Sequence, residues 1–160
     1  MLVGGFCLTA SAGTSPTYVM HEVSVTLDQV EPAGRSKVGD VDHLRIVYDR
    51  HAVDPRTRRV ALLNFQHLID GAYRPEHPDP VFMPMNDAWL DLSSRPYRLH
   101  FRAAVVHGKP ILIEVDENTH RLTIHPQGDS GAVLLSGTYR VDPRPITGAA
   151  ARAAASSAAR

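Results

Sequence analysis

The chain contains few of the residues that most directly indicate a chemical activity. One cysteine, Cys7, stands in 160 residues, which excludes an intrachain disulfide framework and a cysteine-based zinc site. Acidic and basic residues balance at 17 each, so no excess of positive charge is available to hold nucleic acid or an anionic membrane surface. No apolar run reaches the roughly 18 residues of a transmembrane helix. We therefore expect neither nucleic acid nor a membrane as a partner.

Motifs for nucleotide and metal binding are also missing. No glycine-rich loop follows a predicted strand and opens a helix, as phosphate binding would require. The nine histidines form no HxH or HExxH pattern. Three of them, His21, His67 and His107, fall on predicted interior faces, where they are either metal ligands or single polar groups satisfied within a core. We expect no cofactor and no metal site.

The two ends of the chain differ in composition from the middle. Residues 1–16 are small and loop-like and predict a disordered leader. The alternative is a signal peptide, although neither Lys nor Arg precedes the short apolar stretch. Residues 147–160 are mostly alanine without an apolar stripe and predict a disordered tail. Residues 17–146 therefore form the expected domain, with a cytoplasmic location and secretion as the alternative.

The middle of the chain alternates between apolar and polar residues with the period of two that half-buried strands show. Short turns join most of these segments, and no long amphipathic helix separates them. Eight segments show the pattern: 17–30, 43–49, 59–69, 81–92, 97–107, 111–115, 121–125 and 132–141. Eight consecutive antiparallel strands can close into a lipocalin-like barrel, which removes exposed strand edges. The prediction is an all-β fold with a single antiparallel eight-stranded β-barrel.

Two of these segments are less regular than the others. In the third, period two places Ala61, Leu63, Phe65, His67 and Ile69 on one face. In the fourth, Pro84 indicates an edge, a bulge or a kink. Here Met83, Met85, Asp87 and Trp89 share a face, so a carboxylate lies among soft apolar groups. Burial of Asp87 there would raise its pKa.

The stretch Gly128-Asp129-Ser130-Gly131 repeats the four residues around the nucleophile of trypsin-like serine proteases. Their chemistry also needs a histidine and an aspartate brought to the serine. The best local histidine match, at His107, lies too close to Ser130 in the chain to leave room for the intervening aspartate. Because glycine, aspartate and serine also favour turns, we interpret this stretch as a hairpin loop.

Two stretches carry a resemblance to a known family: KVGDVDHLRIVYD at 37–49 and SGTYRV at 136–141. With the all-β pattern, they resemble the small β-barrel cyclases of actinomycete polyketide pathways. These include spirotetronate and polyether [4+2] cyclases, Diels–Alderases whose fold is similar to lipocalins and allene oxide cyclase. The resemblance implies a cofactor-independent enzyme that holds a linear polyene-type substrate in an apolar lumen. Such an enzyme promotes intramolecular cycloaddition by positioning the reacting groups.

The candidate site residues are large apolar or amphipathic side chains, with one carboxylate among them, on the predicted strands. Candidate catalytic hydrogen-bond donors are Tyr97, His67 and Tyr48, which would polarise a substrate carbonyl. The candidate substrate-binding residues are Phe65, Met83, Met85, Asp87, Trp89, Phe101 and Tyr139. For each of them, packing in a solid core is the alternative. We expect a small apolar molecule as partner, with a homodimer possible. A lipocalin-like carrier without catalysis and a β-sandwich with a solid core are the competing hypotheses.

Overall fold

A computed structural model describes residues 17–32, 36–68, 88–100, 111–126, 128–129 and 131–157. These residues form antiparallel strands and one helix, with a 3-10 turn after the second strand. The strands are β1 (Tyr18–Val30), β2 (Val41–Asp49), β3 (Arg59–Ala61), β4 (Asn64–Leu68), β5 (Trp89–Asp91), β6 (Arg98–His100), β7 (Ile111–Asp116), β8 (Arg121–Pro126), β9 (Leu135–Val141) and β10 (Ile146–Thr147). The 3-10 turn is Arg50–Ala52, and the helix is α1 (Ala149–Ser157).

The strands form two antiparallel sheets. The larger sheet has the order β4-β2-β1-β9-β8-β7, with β10 also paired to β1, and the smaller has the order β3-β5-β6. The larger sheet curls into a half-barrel. Its first long strand, β1, pairs with its last, β9, as in an up-and-down barrel. The predicted antiparallel β fold is confirmed, and each of β1 to β9 overlaps a predicted segment, with β3 and β4 sharing the segment 59–69.

One hydrophobic cluster joins the two sheets. Its members come from β1, β2, β3, β5, β6, β7, β8 and β9 and from their flanking residues, and most are less than 5% exposed. The largest contributors are Leu44, Ile46, Leu90, Leu99, Ile113, Leu122, Tyr48, Tyr97 and Tyr139. Burying an aliphatic or aromatic side chain of this size contributes about 1.5–3 kcal/mol. The cluster therefore supplies the main stabilisation of the described fold.

The sequence alternation is inverted in β3. Val60 and Leu62 are buried in the core, whereas Ala61 is exposed and Leu63 is 43% exposed. The prediction that Ala61 and Leu63 share the interior face is therefore wrong.

In β4, odd-numbered positions pair with core residues of β2. Phe65 pairs with Ile46, and His67 pairs with Leu44. Directly paired residues lie on the same face of a sheet, and both β2 partners belong to the core. Positions 65 and 67 are thus in register with core positions of β2. One extra residue between Leu62 and position 65 exchanges the two faces, because a one-residue slip reverses every side chain of a strand.

A second irregularity lies in the pairing of β1 with β9. Leu27 pairs with Gly137 and Gln29 pairs with Ser136, so Asp28 is an extra residue in β1. Both carboxylate oxygens of Asp28 accept hydrogen bonds from Arg121 of β8, each 2.8 Å long. The Arg121 guanidinium holds the pKa of the Asp28 carboxyl below its usual range. The bulge thus places a carboxylate where it ties three neighbouring strands together.

The C-terminal segment forms helix α1 and packs on the outer face of β1 and β2. Ala151 is fully buried and Ala155 is 9% exposed, and both contact the cluster of Met20 and Val47. The prediction of a disordered tail is therefore wrong for α1. Alanines four residues apart lie on one helix face, and their small side chains let the helix approach the sheet closely. Within the described residues, no helix has the length and apolar character needed to cross a membrane.

We expect Ala151→Glu to release α1 and to lower the free energy of unfolding by about 1–3 kcal/mol, because the carboxylate has no room on the sheet. The matched control is Ala150→Glu, at an exposed position of the same helix. Urea denaturation would measure the stability of each variant. Trypsin cleavage after Arg152, followed by mass spectrometry, would report helix release. Equal cleavage of the two variants would contradict this docking.

Candidate functional site

A cavity lies at the end of the sheet where β1 begins. There β8 starts at Arg121, whose partner on β9 is Thr138. The last residues of β9 therefore extend past β8. Tyr139 N donates to the carbonyl of His120 in the β7–β8 turn, at 2.8 Å. The β5–β6 connection and the segment after β9 border the same space, because antiparallel strands bring these connections to one end.

This cavity has a volume of about 590 Å³, within the usual range for small-molecule sites. Its lining is Arg95, Pro96, Tyr97, Thr119, His120, Thr138, Tyr139, Arg140 and Pro143. Two residues proposed from the sequence, Tyr97 and Tyr139, lie in this one cavity. The remaining lining residues come mainly from turns and outward strand positions, where strand alternation carries no signal of a site.

Tyr139 is buried and has a fixed hydroxyl group. The amide of Leu99 on β6 donates to the Tyr139 hydroxyl oxygen at 3.0 Å. Burial raises the pKa of Tyr139, so its hydroxyl stays protonated at neutral pH. A hydroxyl that accepts one hydrogen bond still has its own proton to donate. Tyr139 therefore offers an oriented hydrogen-bond donor.

Behind Tyr97 lies a buried polar cluster of His21 and Tyr48. His21 Nδ1 donates to the carbonyl of Asp142 at 2.7 Å, because a carbonyl only accepts. Burial lowers the pKa of His21, so the ring is neutral and its Nε2 accepts from the Tyr48 hydroxyl at 3.3 Å. The Tyr97 ring meets His21 edge-on at 5.6 Å. Because both ring nitrogens of His21 are hydrogen-bonded, this histidine has a structural role in the core.

The three predicted donors are thus placed differently. Tyr97 lines the cavity, while Tyr48 lies behind it with its hydroxyl bonded to His21. His67 pairs with Leu44 on β2, four residues along the strand from Tyr48, or about 13 Å. The structure brings Tyr97 and Tyr48 together around His21 and leaves His67 nearer the opposite end of the sheet.

Charge at the cavity comes from arginine. Arg95 places its guanidinium 4.2 Å from the centre of the Tyr97 ring, a cation–π contact. Arg140 is exposed at the end of β9. His120 packs 5.3 Å from Tyr139, and its Nε2 is buried without a hydrogen-bond partner among the described residues. None of these three residues is predicted from the sequence, because exposed arginines and turn histidines are common on any protein surface.

Asp142 is the nearest acidic group on the segment that follows β9. Its carboxylate accepts from Arg144 at 3.0 and 3.2 Å. The Arg144 guanidinium lowers the pKa of Asp142 to about 2. This carboxylate therefore stays ionised and engaged above that pH, while the backbone carbonyl of the same residue holds His21.

Trp89 does not face the interior. Its β5 neighbours Ala88 and Leu90 are buried in the core, so Trp89 lies on the opposite face. There its ring stacks on His100 at 3.5 Å, and the guanidinium of Arg59 lies 5.4 Å from the ring centre. The prediction that Trp89 lines an interior pocket is wrong. The cause is the phase of β5, whose interior positions are even-numbered.

The remaining predicted binding residues are less fully placed. Phe65 is in register with Ile46 of β2. Met83, Met85, Asp87 and Phe101 lie outside the described residues.

The Gly-Asp-Ser-Gly stretch lies in the connection between β8 and β9, as the hairpin interpretation predicts. The Asp129 carboxylate accepts from the amides of Gly131 and Ala132 at 3.0 and 3.2 Å. Gly128 has a φ of +87°, which favours glycine. Ser130 itself is outside the described residues. The Asp129 carboxylate is thus used to hold this turn.

Acid should destabilise the protein through His21. Its folded pKa is lowered by burial from 6.5, so the unfolded state binds a proton more readily. The free energy of unfolding is therefore expected to fall as the pH drops below 6.5, by up to about 1.4 kcal/mol per pH unit until the folded pKa is reached. Urea denaturation between pH 8 and 5 measures this. His21→Gln should reduce the loss, whereas His51→Gln, at an exposed site, should retain it. Equal slopes in both variants would contradict the assignment.

Comparison with known proteins identifies no relative. The chain matches no protein-family model, no curated protein and no solved structure. The chemistry of the cavity is therefore the basis for the functional assignment.

Proposed function

We propose that this protein is a closed antiparallel barrel that binds a small apolar molecule in the cavity beside Tyr97 and Tyr139. The cavity volume of about 590 Å³ and its two tyrosine rings carry the proposal. Aromatic rings with polar tips suit an organic ligand that is mostly apolar and has a few polar atoms.

Barrel closure is supported at both junctions between the sheets. On one side, β3 and β4 are consecutive pieces of one chain segment, and they pair with β5 and β2 respectively. On the other side, His100 at the end of β6 contacts Glu117, next to the end of β7, at 3.3 Å. We propose that β6 and β7 are neighbouring strands, so that the barrel closes with eight strands when β3 and β4 are counted as one.

The position of the ligand follows from where the described interior is filled. Tyr48, Leu90 and Leu99 belong to the core cluster and are 5% exposed or less. The ligand therefore binds at the end of the barrel, between connecting turns. This arrangement differs from the central lumen that a lipocalin-like carrier uses.

Filling the cavity tests this proposal. Thr119→Trp places a large ring at an exposed lining position, and Asn118→Trp places the same ring on the neighbouring exposed residue outside the lining. The neutral fluorescent probe N-phenyl-1-naphthylamine should bind the unmodified protein saturably. We expect Thr119→Trp to weaken binding at least ~10-fold, or about 1.4 kcal/mol, while Asn118→Trp binds normally. Circular dichroism checks the fold. Absence of saturable binding, or equal binding by both variants, would contradict the proposal.

A second proposal is the activity that the family resemblance implies. A [4+2] cycloaddition within one linear substrate consumes three π bonds, forms two carbon–carbon σ bonds and one new carbon–carbon π bond, and releases nothing. Such a reaction needs positioning, which supplies up to about 7–11 kcal/mol. The oriented Tyr139 hydroxyl, held by Leu99, favours it because a donor can polarise the carbonyl attached to a dienophile.

A synthetic linear polyene with a conjugated diene and a carbonyl-activated alkene tests catalysis. The cyclase proposal expects faster, stereoselective conversion to a product of unchanged mass. Tyr139→Phe should slow this conversion ~10-fold or more while substrate affinity stays similar. Binding of the polyene without faster conversion would contradict the cyclase proposal and support a carrier.

A further inference from the structure

The cavity rim carries positive charge. Among the described residues that line the cavity, Arg95 and Arg140 carry a permanent charge and none is acidic. Two like charges at one rim repel each other, which costs free energy unless an anion lies between or beside them. This charge pattern sets the rim apart from the chain as a whole, whose net charge is zero.

The nearby acidic groups are already engaged with other partners. Asp142 is bonded to Arg144, and Glu117 contacts His100. Among the described residues, Arg140 forms no ion pair within 4.0 Å. Within the described part of the chain, the guanidinium of Arg95 makes two contacts. One is with the Ser94 carbonyl at 3.5 Å, and the other is with the Tyr97 ring. Both arginines thus keep most of their donors available.

His120 adds a third polar group. It adopts a φ of +55°, a left-handed conformation that is uncommon for a residue other than glycine. The bond from Tyr139 N to its carbonyl holds this conformation. Its buried Nε2 has no partner among the described residues, and burying an unpartnered polar atom costs about 1–3 kcal/mol.

We propose that the cavity binds an organic anion, with the apolar body against Tyr97 and Tyr139 and an oxyanion, such as a carboxylate, at Arg95 and Arg140. Arginine forms paired hydrogen bonds with the two oxygens of a carboxylate. The imidazole of His120 packs beside the ring of Tyr139 in the lining of the same cavity. This inference rests on the proposed ligand-binding function and specifies the chemical class of the ligand.

Two fluorescent probes that differ only in charge test the inference. 8-Anilino-1-naphthalenesulfonate carries a sulfonate that N-phenyl-1-naphthylamine lacks. We expect the anionic probe to bind at least ~10-fold more tightly at low salt, since a hydrogen bond to a charged group contributes about 1.5–3 kcal/mol. Added sodium chloride should weaken the anionic probe and leave the neutral probe unchanged.

Arginine variants locate the effect. Arg95→Gln and Arg140→Gln should each weaken the anionic probe ~5-fold or more, and by more than either variant weakens the neutral probe. The matched control is Arg56→Gln, an exposed arginine outside the lining, which should change neither affinity. Thr119→Trp should weaken both probes, which ties them to this cavity. Decanoate should displace the anionic probe more strongly than decanol or inorganic phosphate does, if the natural ligand is an organic carboxylate.

The outcomes separate the two proposals. Neutral binding that depends on Thr119, with no preference for the anionic probe, would overturn the anion inference and leave the binding function standing. Failure of both probes to bind saturably would overturn both. Anionic binding that neither arginine variant weakens would also overturn the inference. Displacement by inorganic phosphate as strong as by decanoate would overturn the organic carboxylate.

Discussion

Leu62→Ala is expected to lower the free energy of unfolding by about 3 kcal/mol, and Leu63→Ala, one residue further, by less than about 1 kcal/mol. Leu62 is 2% exposed within the core cluster, whereas Leu63 is 43% exposed. Removing three carbons from the buried leucine leaves a cavity that the surrounding strands fill only partly. The exposed leucine loses little contact. Urea denaturation of the two variants, with the unmodified chain as reference, measures both effects.

The comparison tests the strand irregularity directly, because simple alternation through residues 59–69 predicts the opposite ranking. The two variants delete the same atoms from adjacent residues, so effects of composition on the unfolded chain nearly cancel. A larger loss in Leu63→Ala would mean that the interior face runs unbroken from β3 into β4. Equal losses would mean that both leucines are half-buried.

Gly137→Ala is expected to prevent native folding or to cost about 3 kcal/mol or more. A Cβ at this position would overlap the carbonyl oxygen and carbon of Thr26 and touch the backbone of Leu27. Backbone atoms cannot rotate away as a side chain can, so β1 and β9 would have to separate. That separation would break the central pairing of the larger sheet. Soluble yield, circular dichroism and urea denaturation report the result.

Gly131→Ala is the matched control, because a Cβ there meets only the Asp129 carboxylate oxygen at 3.4 Å. We expect its stability to stay within about 0.5 kcal/mol of the unmodified protein. A Gly137→Ala protein with native stability would show that β1 and β9 lie further apart at the Asp28 bulge. It would also weaken the case that the bulge brings Asp28 to Arg121.

The candidate site combines residues that differ in how visible they are in the sequence. Tyr97 and Tyr139 are recognisable because they are large amphipathic side chains on clear strands. Arg95, His120 and Arg140 reach the same cavity only because β9 outruns β8 and three connections meet there. The distance along the chain between these residues is large, and no local pattern links them.

The docking of helix α1 also could not be predicted from a local sequence pattern. Its alanines have no apolar stripe by composition, yet Ala151 and Ala155 are buried against Met20 and Val47. The outer face of β1 and β2 exposes these apolar groups unless something covers them. Whether small residues dock depends on the surface they meet, which lies more than a hundred residues earlier in the chain.

Alternation of apolar and polar residues was enough to predict the antiparallel β fold and the location of its strands, because a half-buried strand must place every second side chain in the core. Turn-favouring glycine, aspartate and serine identified the hairpin loop at Asp129. The face exchange between Leu62 and position 65, the outward position of Trp89 and the assembly of the cavity depend on strand register and on how far each strand extends. Those are properties of partners distant in the chain, and a one-residue slip reverses a face without changing any local pattern.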